Sequence, residues 1–203
     1  MNVIKEITDY EIIGETKRSL VSPKISTRAI LFDLDGNIAL MHIKKKSAYA
    51  LPGGGVKKGE HLKDALAREM LEETGCYCEI LDEIGIISEN RAQHDFTQLS
   101  YYYLTRLIGI KGETRLTCKE MHDDNNLIWV KGINCLDTIA NQKPINYQYA
   151  FVKERDLSIL NYLHNNNSKS CLTYKKLLSN QCRQLKQPIK MSHKYNIKTN
   201  KST

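Results

Sequence analysis

One stretch of this chain restricts its fold more than any other. Three consecutive glycines, Gly53, Gly54 and Gly55, lead into a helical pattern crowded with acids, His61 to Thr74. Leu62, Leu66 and Met70 share one stripe of that helix and must rest on an apolar core. Gly75 stands where a helix stops in the left-handed conformation. At about 100° per residue, Glu73 lies about 40° from Glu69, and Glu72 about 60° to its other side. Like charges at these spacings cost a helix stability, so the cluster calls for a counter-charge. Hard carboxylate oxygens at this density suit Mg²⁺ or Mn²⁺, with phosphate oxygens completing the shell. The glycines before the helix let backbone approach a ligand closely. An acidic helical face is, on its own, more often merely solvated, and Arg68 and Lys63 are at hand to pair with it.

The flanking sequence supplies a sheet for the helix to lie on. Residues 28–32 (Arg-Ala-Ile-Leu-Phe) predict a buried strand, closed by the turn residues Asp33 to Asn37 and followed by a hairpin partner at 38–43. Tyr49 to Leu51 predicts a short strand halted by Pro52 and the glycines. Long strands are expected at 76–87 and 98–108, and another at Leu127 to Val130. Tyr101, Tyr102 and Tyr103 in the second long strand point to core packing rather than to a ligand. Helices are expected at about 134–141 and 147–164.

The 203 residues carry a formal net charge of +7, but the excess is local. Residues 1–156 hold 21 Lys+Arg and all 23 Asp+Glu, whereas 157–203 hold 9 Lys+Arg and no acid. The basic character therefore belongs to the tail, and a nucleic-acid argument from overall charge is misplaced. No apolar run approaches the length of a bilayer span, and the first 20 residues are too charged for a secretory signal. The six cysteines include no C-x-x-C pair, so reduced thiols in a cytoplasmic protein are expected. Three parts are expected: an N-terminal segment 1–24, a catalytic domain 25–164, and a flexible basic tail 165–203. Within the tail, Tyr174, Leu177, Leu178, Cys182 and Leu185 keep helical spacing, and the composition from Gln187 onward suggests disorder.

Residues Gly54-x5-Glu60-x7-Arg68-Glu69-Met70-x-Glu72-Glu73-x-Gly75-Cys76 resemble the Nudix box of the MutT-like hydrolases. Every fixed position is matched; Cys76 stands where a larger aliphatic residue is usual. The resemblance extends less strictly over about 25–165 and does not reach the tail. It implies an α/β fold, an α/β/α sandwich around a mixed β-sheet. It also implies Mg²⁺-dependent (or Mn²⁺-dependent) hydrolysis of a pyrophosphate bond in a nucleoside diphosphate derivative. By the family pattern Glu69 and Glu73 are the principal metal ligands, with Glu72 and the Gly53 carbonyl assisting. Glu60 and Arg68 form an ion pair that orients the carboxylates. Glu69 or Glu73 takes the proton of the attacking water.

Family members often recruit one more acid from outside the box. Glu120 is the first candidate here and Glu113 the second. Arg28, Gly54 and Gly55 are the candidate substrate contacts, although an arginine at a strand start more often has no ligand. His94 and His122 are expected to be surface residues. The compact catalytic domain inclines the substrate toward a nucleoside triphosphate of the oxidised-dGTP type, with nucleotide sugars such as ADP-ribose also fitting. From a different class comes a nucleotide-sensing or RNA-binding regulatory module on the same fold. The tail, which could meet nucleic acid or an anionic surface, favours it; the intact Glu69, Glu72 and Glu73 speak against it. The tail is expected to be dispensable for chemistry.

Overall fold

The computed structural model describes residues 1–184. Alternation along a single strand sets out its layers. In β2 (Lys24–Phe32), Ala29 and Leu31 face one apolar cluster while Ile30 and Phe32 face another, and all four are fully buried. A strand buried on both sides needs a layer on each face. The acidic helix α2 (Leu62–Thr74) supplies one, setting Leu66 and Met70 on Ala29, Leu31, Tyr103 and Leu107. On the other face lie α4 (Gly132–Ala140), α5 (Tyr147–Asn165) and α6 (Lys169–Gln184). The short helices α1 (Asp9–Ile13) and α3 (Cys118–His122) lie in connections.

The sheet is mixed. Its path runs β1 (Val3–Thr8), β6 (Tyr77–Arg91), β7 (Phe96–Ile108), β2, β3 (Asn37–Ile43) and β4 (Ala48–Ala50). Off this path, β5 (Gly53–Gly55) pairs with β2 and β8 (Asn125–Lys131) with β3. β2 runs parallel to β7 over its whole length, from Lys24 beside Gln98 to Phe32 beside Arg106. The α/β/α sandwich with a mixed sheet is thus the observed architecture.

Several local expectations change. β2 begins at Lys24, so Arg28 lies in mid-strand and not at its start. The expected 28–32/38–43 hairpin holds at only one pair, Phe32 with Ile38. Beyond it β3 turns to β4 and β8, because β2 is already flanked by β7 and β5. The glycine triplet is itself a strand: Gly53 and Gly54 lie opposite Arg28 and Thr27. Tyr102 and Tyr103 are both buried on opposite faces, as alternation requires.

The N-terminal segment is not outside the domain. β1 adds in parallel to β6, and Ile7 is fully buried. The tail also begins inside it: Cys171 and Tyr174 have no exposed surface, and Tyr174 packs edge-on against Phe32 with centroids 5.8 Å apart. Leu177 and Leu178 join the same cluster. A flexible appendage from residue 165 is therefore corrected for the part through Leu178: its apolar stripe covers surface that α4 and α5 leave open. The expected disorder from Gln187 lies outside the described residues, as do Leu185 and the rest of the tail. Among the described residues no helix is long and apolar enough to cross a membrane.

Candidate active site

Glycines fix where α2 meets the sheet. Gly53 has φ +134°, and a Cβ there would come within 2.2 Å of the Thr27 carbonyl oxygen. A Cβ on Gly54 would meet the Glu69 carboxylate at 2.5 Å. Two bare backbone positions therefore let the helix's acids press against the strand. At the far end, Gly75 takes φ +65° and donates its N–H to Leu71, while Cys76 donates to Met70, closing the helix.

Glu73 is buried and accepts the Gly53 N–H at 2.6 Å. Burial pushes its carboxyl up to about 8, against the Gly53 hydrogen bond and the Arg28 charge, which pull it down. Glu69 is buried too, and burial raises it in the same direction against the pull of Arg68. Arg68 is the hub of the outer half. Its Nε donates to Glu60 at 2.8 Å, Nη1 to Glu69 at 2.7 Å and Glu72 at 3.1 Å, and Nη2 to the Gly55 carbonyl at 3.0 Å. The Arg68 hydrogen bond holds Glu60 down at about 2. One guanidinium thus ties three carboxylates and the glycine strand into a fixed frame.

On the inner side, Arg28 donates Nη1 to the carbonyls of Leu51, at 3.2 Å, and Gly53, at 3.1 Å. The Gly53 carbonyl thus already accepts one hydrogen bond, and its second lone pair is what it could offer a cation. Arg28, Glu73 and Glu120 line one cleft of about 270 Å³, together with Asp123, Gln148 and Arg155. Glu120 caps its own short helix, accepting the Thr117 N–H and hydroxyl at 2.7 Å, and its charge acts on Glu73. Glu113 is exposed and lines no part of this cleft. His94 and His122 are exposed.

The donor set suits a hard divalent cation: two buried carboxylates with raised proton affinity and a third beside them, with Arg68 bonded to Glu69 and Glu72 and not to Glu73. Among the described residues no three His, Cys, Asp or Glu side chains already converge as a cage. Arg68 draws off Glu69 and Glu72, and the Gly53 N–H holds one oxygen of Glu73.

Residues 22–132 match the NUDIX domain model. The chain belongs to the NUDIX family. This NUDIX chain is 30% identical over 115 residues to an ADP-ribose pyrophosphatase of Methanocaldococcus jannaschii, covering 54% of the chain and 68% of that protein. It is 28% identical over 126 residues to an RNA pyrophosphohydrolase of Novosphingobium aromaticivorans, covering 54% and 76%. Its fold is similar to the crystal structure of a UDP-X diphosphatase (TM-score 0.50, 16% identity, 78% of this chain and 71% of that one). Family and relatives together support a NUDIX-type pyrophosphohydrolase.

The sequence reading overlooked a buried polar network behind the NUDIX cleft. Arg155 and Asp156 sit side by side on α5, 1% and 0% exposed. Asp156 accepts from the Tyr102 hydroxyl at 2.6 Å and the Leu51 N–H at 2.8 Å, and Arg155 Nε donates to the Tyr102 oxygen at 2.9 Å. The network ties α5 to the strand leading into the glycines. Its one trace in the sequence is an Arg-Asp pair in mid-helix, which reads equally well as solvated.

Proposed function

We propose that this NUDIX enzyme hydrolyses a pyrophosphate bond in a nucleoside diphosphate derivative, with Mg²⁺ or Mn²⁺ held by Glu69, Glu73 and Glu72. The bound cation would neutralise the diphosphate and acidify the attacking water. Glu69 and Glu73 hold oxygen donors on one helical face, and whichever is left basic accepts the proton of the water. Arg68, fixed by Glu60, keeps Glu69 and Glu72 in place. Arg28 meets the substrate phosphate from the inner wall, and Gly54 and Gly55 offer backbone close to it. Glu120, across the cleft from the glycine strand, is the auxiliary acid or base.

One observation carries this reading: two carboxylates buried on one helix face beside a glycine strand, with Glu73 bound to no described cationic side chain. A carboxylate buried in this way is costly unless it binds a cation or a proton. The relatives' names favour ADP-ribose or RNA over an oxidised nucleotide as the source of the pyrophosphate bond. The regulatory reading has less support, because all three box acids occupy the site.

The test is a panel of nucleoside diphosphate derivatives with Mg²⁺ and detection of released phosphate or nucleotide. Glu73→Gln should lower turnover by at least about 100-fold while leaving the fold intact. Near-normal turnover in that variant would overturn the assignment.

A further inference from the structure

Beside the Glu73 cleft lies a second pocket of about 250 Å³, lined by Arg28, Arg91, His94, Phe96, Gln98 and Arg155. Arg28 and Arg155 belong to both, so the two spaces share a wall. Three guanidiniums meet here. Arg155 is spent on Asp156 and Tyr102. Arg91 is only 6% exposed, its guanidinium between the rings of Phe96 and Phe151 at 4.9 and 5.4 Å. It gives Nη2 to Glu89, but its Nε is buried with no partner among the described residues. The Nε of Arg28 is buried and unpartnered as well.

The local charge does not balance. Among the described residues Glu89 and Asp156 are the two carboxylates in contact with these arginines, so three positive charges meet two negative ones. Glu73 acts on Arg28 from the neighbouring cleft, where the proposed function commits it to the cation. Buried guanidinium N–H groups without acceptors are costly, and a phosphate oxygen is the acceptor that suits them.

We propose that this pocket is a phosphate-recognition subsite, so that the preferred substrate carries a further phosphate besides the diphosphate that is cleaved. The inference rests on the proposed function, since it names the substrate class of the same site. Arg91 and Arg28 supply the N–H groups, and His94 stands exposed at the pocket.

Two matched pairs test it with Mg²⁺: ADP-ribose against 2′-phospho-ADP-ribose, and ATP against a 5′-triphosphorylated dinucleotide. In at least one pair the added phosphate should raise kcat/KM about tenfold, as expected for a charge-assisted contact. A preference in the first pair assigns the subsite to a monoester, and in the second to a diester. Arg91→Gln should bring the ratio close to one. His94→Glu, which gives up only the edge contact of an exposed ring on Tyr147, should lower it at least threefold by repulsion. Ratios near one in active wild-type protein overturn the subsite and leave the hydrolase reading standing. If neither pair is turned over, the hydrolase reading fails for these substrates, and calorimetric titration of inorganic phosphate into protein in EDTA decides the subsite. Saturable binding weakened by His94→Glu supports it; no binding, or binding that neither variant changes, overturns it.

Discussion

Glu73 is a buried carboxyl of the candidate site, and its proton is a stability signal. The folded group titrates near 8, far above an ordinary carboxyl, because burial disfavours its charge. Between the unfolded value and about 8 the native state binds more protons than the unfolded one, so stability falls as pH rises through that window. Glu69 adds to the same slope. Glu60, held near 2, titrates below the window and has the opposite sign. Metal-free protein should therefore lose Tm steadily from pH 5 to pH 8, and Glu73→Gln should flatten that slope. At pH 8 the variant should gain roughly 2–4 °C for each kcal/mol relieved. A wild-type Tm independent of pH across this range would place Glu73 in a far more polar setting. Glu120 makes a different prediction, since it lines the cleft without being buried like Glu73. Glu120→Gln should lower kcat with a smaller change in KM, the signature of a group acting mainly in the transition state. Unchanged kinetics would reduce it to the cap of its own helix.

The glycine strand and the acidic helix work as one element, and neighbouring glycines in it should fail in different ways. A Cβ at Gly53 meets immovable backbone, the Thr27 carbonyl at 2.2 Å, at a positive φ. Gly53→Ala should cost at least about 2 kcal/mol of stability in urea unfolding. A Cβ at Gly54 meets the far end of a flexible side chain, the Glu69 carboxylate. That carboxylate can move only by giving up its Arg68 hydrogen bond, a smaller loss than a clash with backbone, so Gly54→Ala should cost less stability than Gly53→Ala and lose at least about tenfold in kcat. Loss of stability in both variants with equal loss of activity would show that the glycines serve the fold alone.

At the scale of the molecule, the helical layer behind the sheet extends past the domain boundary that charge composition suggests. Tyr174 lies fully buried in α6, its hydroxyl 3.1 Å from His164 Nε2 and its ring against Phe32. Tyr174→Ala should cost about 3 kcal/mol or more, measured by urea unfolding, because it empties an aromatic-sized site in the main core. Turnover at saturating substrate should change little, since α2, which carries Glu69 and Glu73, packs on the opposite face of the sheet from Tyr174. A stability change within about 0.5 kcal/mol would mean that α6 only rests on the surface.

The central strands, the acidic helix with its glycine lead and stop, and the helices α4 and α5 were legible in the sequence, whereas β1, α1, α3 and the pairing of the glycine triplet as β5 were not. Each is a short-range pattern: a period of 3.6 or 2, a positive-φ glycine, acids three and four residues apart. Sequence spacing does not say which strands become neighbours. The parallel pairing of β2 with β7 joins residues more than 70 positions apart, and it broke the expected hairpin after one pair. The same long-range packing drew β1 and α6 into the domain and set Arg91, Arg28 and Arg155 around one pocket. Those residues lie in separate strands and a helix with no shared motif. Local chemistry chose the acidic helix; only the tertiary fold decided what faces it and where unpaired charge collects.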